Sequence, residues 1–197
     1  MIIESQYFPC IAFWAQAYSD RRIEIEAHEN YQKRSYRNKC NIYGANGSIT
    51  LSVPLEKGKN KQMPIKDVRI SYVDPWITNH LQSIKSAYGR AAYYEFYWED
   101  IEVIIKKKHH FLYDLNWECL EYFASKLGIE LTETLEYSSS YIEGDFRQKI
   151  RPRHSFTASY YPQVFEESMG FQSNMSILDL LFCTGPEMSR ILKQPLT

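Results

Sequence analysis

The stretch EAHENYQKRSYRNKC, residues 26–40, crowds side chains that can bind polar ligands or carry protons into about a dozen positions. Ordinary turns favour small residues that reach unusual backbone angles, whereas this segment contains long hydrogen-bond donors. Lys and Arg neutralise phosphate or carboxylate groups, while Tyr and Asn orient hydroxyls and carbonyls. The pattern therefore predicts a binding site for a small anionic molecule. Its candidate residues are His28, Tyr31, Lys33, Arg37 and Asn38.

Two histidines are candidates for moving a proton at this site. His28 has the residue type whose ordinary pKa lies near neutrality, which suits a general base; the alternative is a structural histidine bonded to a carbonyl. His80 follows on a predicted helix, at the border of its buried face. His109 and His110 come after three lysines and are predicted to be surface residues.

The sequence contains none of the common signatures of a metal or cofactor site. No two histidines stand four residues apart with a carboxylate between them, as in H-E-x-x-H, and no glycine-rich phosphate loop is present. We therefore expect no metal and no cofactor. Lys57, Lys59 and Lys61 lie in a later loop, where they are consistent with either a phosphate funnel or an ordinary solvated surface.

The surrounding pattern predicts how the fold positions the site. MIIES and RRIEIEA are typical of strands flanking a helix around Ile11 to Tyr18, so the candidate loop follows the second strand, where α/β sheets usually bind ligands. Asn46-Gly47 predicts a tight hairpin turn. Val68 and Ile70 alternate with polar residues, which predicts a further strand.

The second half of the chain has helical periodicity. Asp74-Pro75 predicts a helix start capped by the carboxylate, one long or broken helix ends at Gly128, and two short helices surround Gly185-Pro186. We expect an α/β or α+β fold with an N-terminal strand-helix-strand unit, a hairpin, a mixed sheet and a mostly helical C-terminal half. The chain fits one domain, 1–197, with a sheet-rich part, 1–73, and a mostly helical part, 74–197.

Composition and charge exclude several classes of function. A net charge of -1 provides no global basic field, which makes nucleic-acid binding, including contact with tRNA, an unfavoured function. The start lacks the pattern of a signal peptide, and no apolar run approaches the roughly 20 residues that a membrane span needs. The four scattered cysteines favour reduced thiols, so we expect a cytoplasmic protein.

Several motifs together resemble one known family: SQYFP, YQKRSYRN, GANG, PIKDVRISY and NMSILDLLFCTGPE. The chain resembles the WbqC-like protein family over nearly its full length. The resemblance implies a role connected with bacterial surface polysaccharide loci, where amino-acyl (glycyl) transfer to O-antigen sugars has been suggested. It also implies a set of site residues, namely Gln6, Tyr31, Lys33, Asn38, Pro54, Trp76 and His80.

This chain departs from the family pattern at two places. Family members resemble one another in an opening Q-P-x-x-x-P and an acidic pair before the tyrosine, where this chain has SQYFP and EAHEN. The departure shifts the proton-accepting role from a carboxylate to His28.

Two hypotheses follow. The chain is a transferase that modifies a nucleotide-linked amino sugar, with Lys33 and Arg37 on a phosphate, Tyr31 and Asn38 on sugar hydroxyls, and His28 or His80 as the base. Alternatively it is a noncatalytic module that holds an anionic metabolite or docks an enzyme of the polysaccharide pathway.

Overall fold

The computed structural model describes residues 1–56, 63–137, 144–152, 154 and 156–193. It confirms the expected mixture of helices and strands. The strands are β1 (Ile2–Glu4), β2 (Arg22–Glu26), β3 (Lys39–Gly44), β4 (Gly47–Ser52) and β5 (Glu130–Glu133). The helices are α1 (Ile11–Asp20), α2 (Trp76–Tyr88), α3 (Tyr94–Lys106), α4 (Leu112–Leu127), α5 (Glu166–Met169), α6 (Ile177–Thr184) and α7 (Met188–Leu192). None of the helices in the described ranges is long and apolar enough to cross a membrane.

A parallel sheet with the order β1-β2-β5 forms the frame of the candidate site. Helix α1 links β1 to β2, and its buried apolar face packs into the core. The third strand comes from the second half of the chain: Gly128 ends α4 in the left-handed region, at φ 63°, and turns the backbone into β5. Because the strands are parallel, the carboxyl ends of all three meet at one edge of the sheet.

The predicted hairpin is present and forms a second, two-stranded antiparallel sheet. Gly44 pairs with Gly47, so the turn itself consists of Ala45 and Asn46. Gly47 has φ 102°, a backbone angle that residues with a Cβ rarely adopt. Gly47, the residue that directly follows the turn, is therefore required to be a glycine by its backbone angle.

The prediction of a strand around Val68 and Ile70 is wrong. Residues Ile65–Asp67 form a 3₁₀ turn, and beyond it only isolated bridges occur, Leu55 with Ile70 and Arg69 with Phe111. Val68 and Ile70 are both buried. The alternation therefore reflects side-chain burial, while the backbone divides its hydrogen bonds between two different segments and builds no ladder.

The helices of the second half begin and end close to their predicted positions. Helix α2 starts after Pro75, but the Asp74 side chain makes no capping bond. The long helical pattern is broken into α3 and α4 between residues 106 and 112, where Lys108 takes a positive φ of 55°. Gly185 separates α6 from the 3₁₀ turn that leads into α7.

Candidate functional site

A polar cleft of ≈ 430 Å³ opens at the carboxyl edge of the parallel sheet. The loop after β2 forms one wall, and the segment that follows residue 144 forms the other. This is the position where sheets of this type usually bind ligands, because the loops after the strands diverge there. The lining residues are His28, Glu29, Asn30, Gln32, Tyr137, Asp145, Arg147 and Gln148.

A buried ion pair supports the first wall. Arg37 is fully buried, and its Nε and Nη2 atoms donate to the two carboxylate oxygens of Glu29 at 2.7 and 2.5 Å. Glu4, the last residue of β1, lies 4.0 Å from the same guanidinium. Burial lowers the pKa of Arg37, but the bonds with Glu29 and the charge of Glu4 outweigh it and raise the pKa, so the guanidinium stays charged.

Arg147 holds the second wall in place. Its guanidinium donates to Asp145 at 2.7 Å and to Glu26, the last residue of β2, at 2.8 Å. The hydrogen bond from Arg147 to Asp145 lowers the pKa of the Asp145 carboxyl. The backbone nearby is also attached to the sheet, since the Gln148 amide donates to the Glu4 carboxylate at 2.8 Å. The carboxylates of Glu26 and Glu4, at the ends of β2 and β1, therefore hold the second wall of the cleft in place.

Carboxylates outnumber guanidinium groups within the ion-paired cluster at the strand ends. Glu4, Glu26, Glu29 and Asp145 supply four carboxylates, and Arg37 and Arg147 supply the two guanidinium groups that contact them. Burial raises the pKa of Glu29, and the bond from Arg37 opposes that rise. Carboxylates that outnumber their paired guanidinium groups can hold a cationic group such as an ammonium.

His28 is exposed and lines the cleft, as expected for a proton acceptor. Its Nε2 atom lies 3.1 Å from the Thr134 carbonyl at the end of β5, and its amide donates to Glu26 at 2.9 Å. A carbonyl can only accept, so Nε2 carries the proton in the neutral ring and Nδ1 has a free lone pair. The bond to the Thr134 carbonyl orients the ring. The alternative interpretation of His28 as a structural histidine also predicted a bond to a carbonyl.

The remaining polar residues of the loop lie beneath the surface. The Tyr31 hydroxyl donates to Asn38 at 3.0 Å, and the Asn38 amide donates to the Val53 carbonyl at 2.9 Å. Both side chains are buried. Gln6 is fully buried as well, and it donates to Glu4 at 3.2 Å. These three predicted binding residues therefore support the walls and do not line the cleft.

Residues 4–152 match the model of the WbqC-like protein family. The chain belongs to this family. The match covers more than half of the chain and includes every residue that lines the cleft. No curated protein and no solved structure matches the chain significantly.

Several residues implied by the WbqC-like resemblance lie away from the cleft lining. His80 and Trp76 pack against each other in the core, with ring centroids 5.0 Å apart. His80 Nδ1 lies 3.1 Å from the Tyr7 hydroxyl, and burial lowers the pKa of the imidazole to about 4. Pro54 is half-buried, and its carbonyl accepts from Ser71. The structure therefore does not bring His80 to His28.

The predicted cations divide into three groups. Arg37 is occupied by Glu29, whereas Lys33 is exposed, one residue along the chain from Gln32 in the cleft wall. The loop with Lys57, Lys59 and Lys61 lies outside the described residues.

Other chemistry is not indicated at the cleft. Among the described residues no cluster of His, Cys, Asp or Glu could hold a metal ion. The cysteines are free thiols, and burial raises the pKa of Cys10 to about 11, which suppresses its thiolate.

Sequence reasoning missed the residues that define the cleft's charge: Glu4, Glu26, Glu29, Asp145 and Arg147. One signal was available. Glu4 and Glu26 each follow a short apolar strand pattern, at the position where a parallel sheet presents side chains to a ligand. Asp145 and Arg147 carry no such signal, because only the folded chain brings them back to β1.

Proposed function

We propose that this protein is a transferase that modifies a nucleotide-linked amino sugar, with amino-acyl transfer to the sugar amine as its reaction. The observation that carries the proposal is the ion-paired cluster of four carboxylates and two guanidinium groups beside a cleft with an exposed, oriented histidine. The family name loosely suggests a polysaccharide pathway, which is consistent with such a substrate. Glu29 and Asp145 supply the negative field that attracts the protonated amine.

The reaction requires that the bound ammonium lose a proton. In the proposed mechanism Nδ1 of His28 accepts it, because Nε2 is held by the Thr134 carbonyl. The free amine then attacks the carbonyl carbon of an activated acyl donor, such as a thioester or an acyl phosphate. A carbon–nitrogen bond forms, the bond from the acyl carbon to its leaving group breaks, and the leaving group departs with the electron pair and takes up the second proton, which the nitrogen loses. Holding the two reactants together supplies much of the acceleration.

The other predicted residues take supporting roles in this proposal. Lys33 is exposed beside the cleft wall and is the cation of the loop available to the substrate's phosphates. Arg37 acts through Glu29, whose carboxylate it orients with two hydrogen bonds. Tyr31, Asn38 and Gln6 hold the loop and the end of β1 in position.

A binding experiment tests the recognition of the amine. Calorimetry with glucosamine, glucose and N-acetylglucosamine should show binding of glucosamine alone, because only its amine is cationic. We expect Glu29→Gln and Asp145→Asn each to weaken that binding by about tenfold, equivalent to about 1.4 kcal/mol. Glu130→Gln is the matched control, since Glu130 is exposed at the opposite end of β5. Equal binding of glucose, or equal loss with Glu130→Gln, would contradict the proposal.

One observation also favours the noncatalytic alternative: His28 Nε2 is bonded to a backbone carbonyl, as in a purely structural histidine. Turnover separates the two functions. With UDP-linked amino sugars and glycyl thioesters as substrates, a transferase should lose at least about a hundredfold in kcat with His28→Ala while KM changes little. His110→Ala is the control, because that histidine is exposed elsewhere. Amine binding without any turnover supports the binding module.

A further inference from the structure

A second groove runs along the exposed side of α4, apart from the cleft at the strand ends. Two adjoining hollows of ≈ 280 and ≈ 310 Å³ both include Glu118 and Glu121 in their walls. We call the combined surface the α4 groove; it extends from Asp114 past Trp117 to Ser125. These positions recur at helical spacing, so the groove is roughly 16 Å long. That length exceeds one sugar ring or one amino-acid side chain.

An aromatic platform lies at one end of the α4 groove. The rings of Tyr113 and Trp117 are nearly parallel, with centroids 6.3 Å apart and an interplanar angle of 26°. Trp117 is half-buried, which leaves part of its ring open to the groove. Tyr113 is only 3% exposed, and burial together with the interaction of its hydroxyl with Glu133 raises its pKa. The part of the aromatic platform that is open to the groove is therefore the Trp117 ring.

Two carboxylates of the α4 groove already have basic partners. Glu118 is bonded to His109 at 2.5 Å and to Lys107 at 3.1 Å, and Glu133 is paired with Lys66 at 2.8 Å. A basic peptide would have to displace these side chains from Glu118 and Glu133. A carboxylate has about four lone-pair positions, however, so each can still accept a bond from a neutral hydroxyl.

This combination matches one chemical class. A pyranose ring has an apolar face that packs on an aromatic ring and a rim of hydroxyls that donate to carboxylates. We propose that the α4 groove binds a linear oligosaccharide of two or three residues, with one ring on Trp117 and its hydroxyls on Glu118 and Glu121. The groove shares no lining residue with the cleft among the described residues, so its binding does not depend on the proposed transfer.

The fold also connects the two sites. Glu133 lines the α4 groove, and the next residue, Thr134, holds His28 through its carbonyl. A saccharide chain in the α4 groove therefore lies beside the strand end that forms the cleft.

Binding of defined trisaccharides tests the inference. Cellotriose, maltotriose and triacetylchitotriose are titrated into the full chain, and binding is followed by ligand-observed NMR and tryptophan fluorescence. We expect saturable binding of at least one, weakened about tenfold or more by Trp117→Ala and several-fold by Glu121→Gln. Trp98→Ala and Glu95→Gln are the matched controls, since both residues lie on α3 outside the groove. Circular dichroism and thermal unfolding confirm that each variant is folded.

Three results would overturn the inference. One is the absence of binding by all three trisaccharides at about 10 mM, a concentration that exceeds the largest dissociation constant expected for such a site. Another is an equal loss with Trp98→Ala. The third is salt-sensitive binding of an oligolysine peptide that Glu121→Gln abolishes, which would identify a basic peptide as the ligand. Because Asp145→Asn affects only the cleft, trisaccharide binding that survives this change separates the two proposals.

Discussion

The ion-paired wall of the cleft and the environment of His80 each bury an ionisable group. The wall favours the charged form of its group, whereas the surroundings of His80 favour the neutral form. The Arg37 guanidinium stays charged because it donates two hydrogen bonds to Glu29, and these bonds and the charge of Glu4 raise its pKa. His80 has no carboxylate partner among the described residues: the Tyr7 hydroxyl and the Trp76 ring pack against it, and burial lowers its pKa to about 4. One region stores charge beside an open cleft, and the other excludes charge from the core.

The difference shows what a candidate site needs beyond suitable residue types. Both regions contain residues that the sequence nominated, and the first borders a space that a ligand can enter. His80 is neutral at pH 7 and enclosed, so it suits packing better than proton transfer with a substrate. A group must be reachable as well as titratable to act on a ligand.

The largest expected effect comes from breaking the ion pair. Arg37→Ala leaves Glu29 and Glu4 buried without their cation, and we expect a loss of about 3–5 kcal/mol in the free energy of unfolding. Urea denaturation at pH 7 measures it. Lys33→Ala in the same loop is the control and should change stability by less than about 0.5 kcal/mol, because Lys33 is exposed. A loss below about 1 kcal/mol for Arg37→Ala would show that the wall does not depend on this pair.

The next effect concerns pH and separates the two regions. The folded state lowers the pKa of His80 from 6.5 to about 4, so below pH 6.5 the unfolded chain binds the proton more readily. The stability contribution is therefore complete above pH 6.5 and is lost as the pH falls toward 4, by about 3 kcal/mol in total.

Urea denaturation between pH 7 and 4 checks this, comparing the wild type with His80→Phe. The difference in slope between the two proteins isolates His80 from the carboxylates that also titrate. His110→Phe serves as the control because His110 is exposed, and its slope should equal that of the wild type. A wild-type slope that is unchanged by His80→Phe would mean that His80 titrates normally.

The fold was predictable where local pattern and burial coincide. The strand-helix-strand unit, the hairpin and the stop at Gly128 all follow from periodicity and turn chemistry that act within a few residues. The segment around Val68 misled the prediction because Val68 and Ile70 are buried and Arg69 is exposed, which produces alternation without a ladder. Strand β5 joins the sheet through contacts across about 100 residues of sequence, which no local pattern reports.

The site was predictable in part for the same reason. The loop after β2 does border the cleft, and His28 lines it, as its position after a strand indicates. Residue type alone did not distinguish Arg37, which forms the buried pair, from Lys33, which is exposed. The opposite wall, with Asp145 and Arg147, depends on long-range pairing and was not foreseen.

The smallest expected effect tests how much the Tyr7 hydroxyl stabilises the buried environment of His80. Tyr7→Phe removes the partner of His80 Nδ1 and leaves the ring packing intact. Because the lost bond joins two uncharged groups, we expect a cost of about 1 kcal/mol in the free energy of unfolding, a fraction of that for Arg37→Ala. Tyr18→Phe, a substitution near the surface end of α1, gives the baseline for losing a tyrosine hydroxyl. A cost for Tyr7→Phe that approaches that of Arg37→Ala would mean that His80 carries charge in the folded state, since only a bond to a charged group is lost at such a cost.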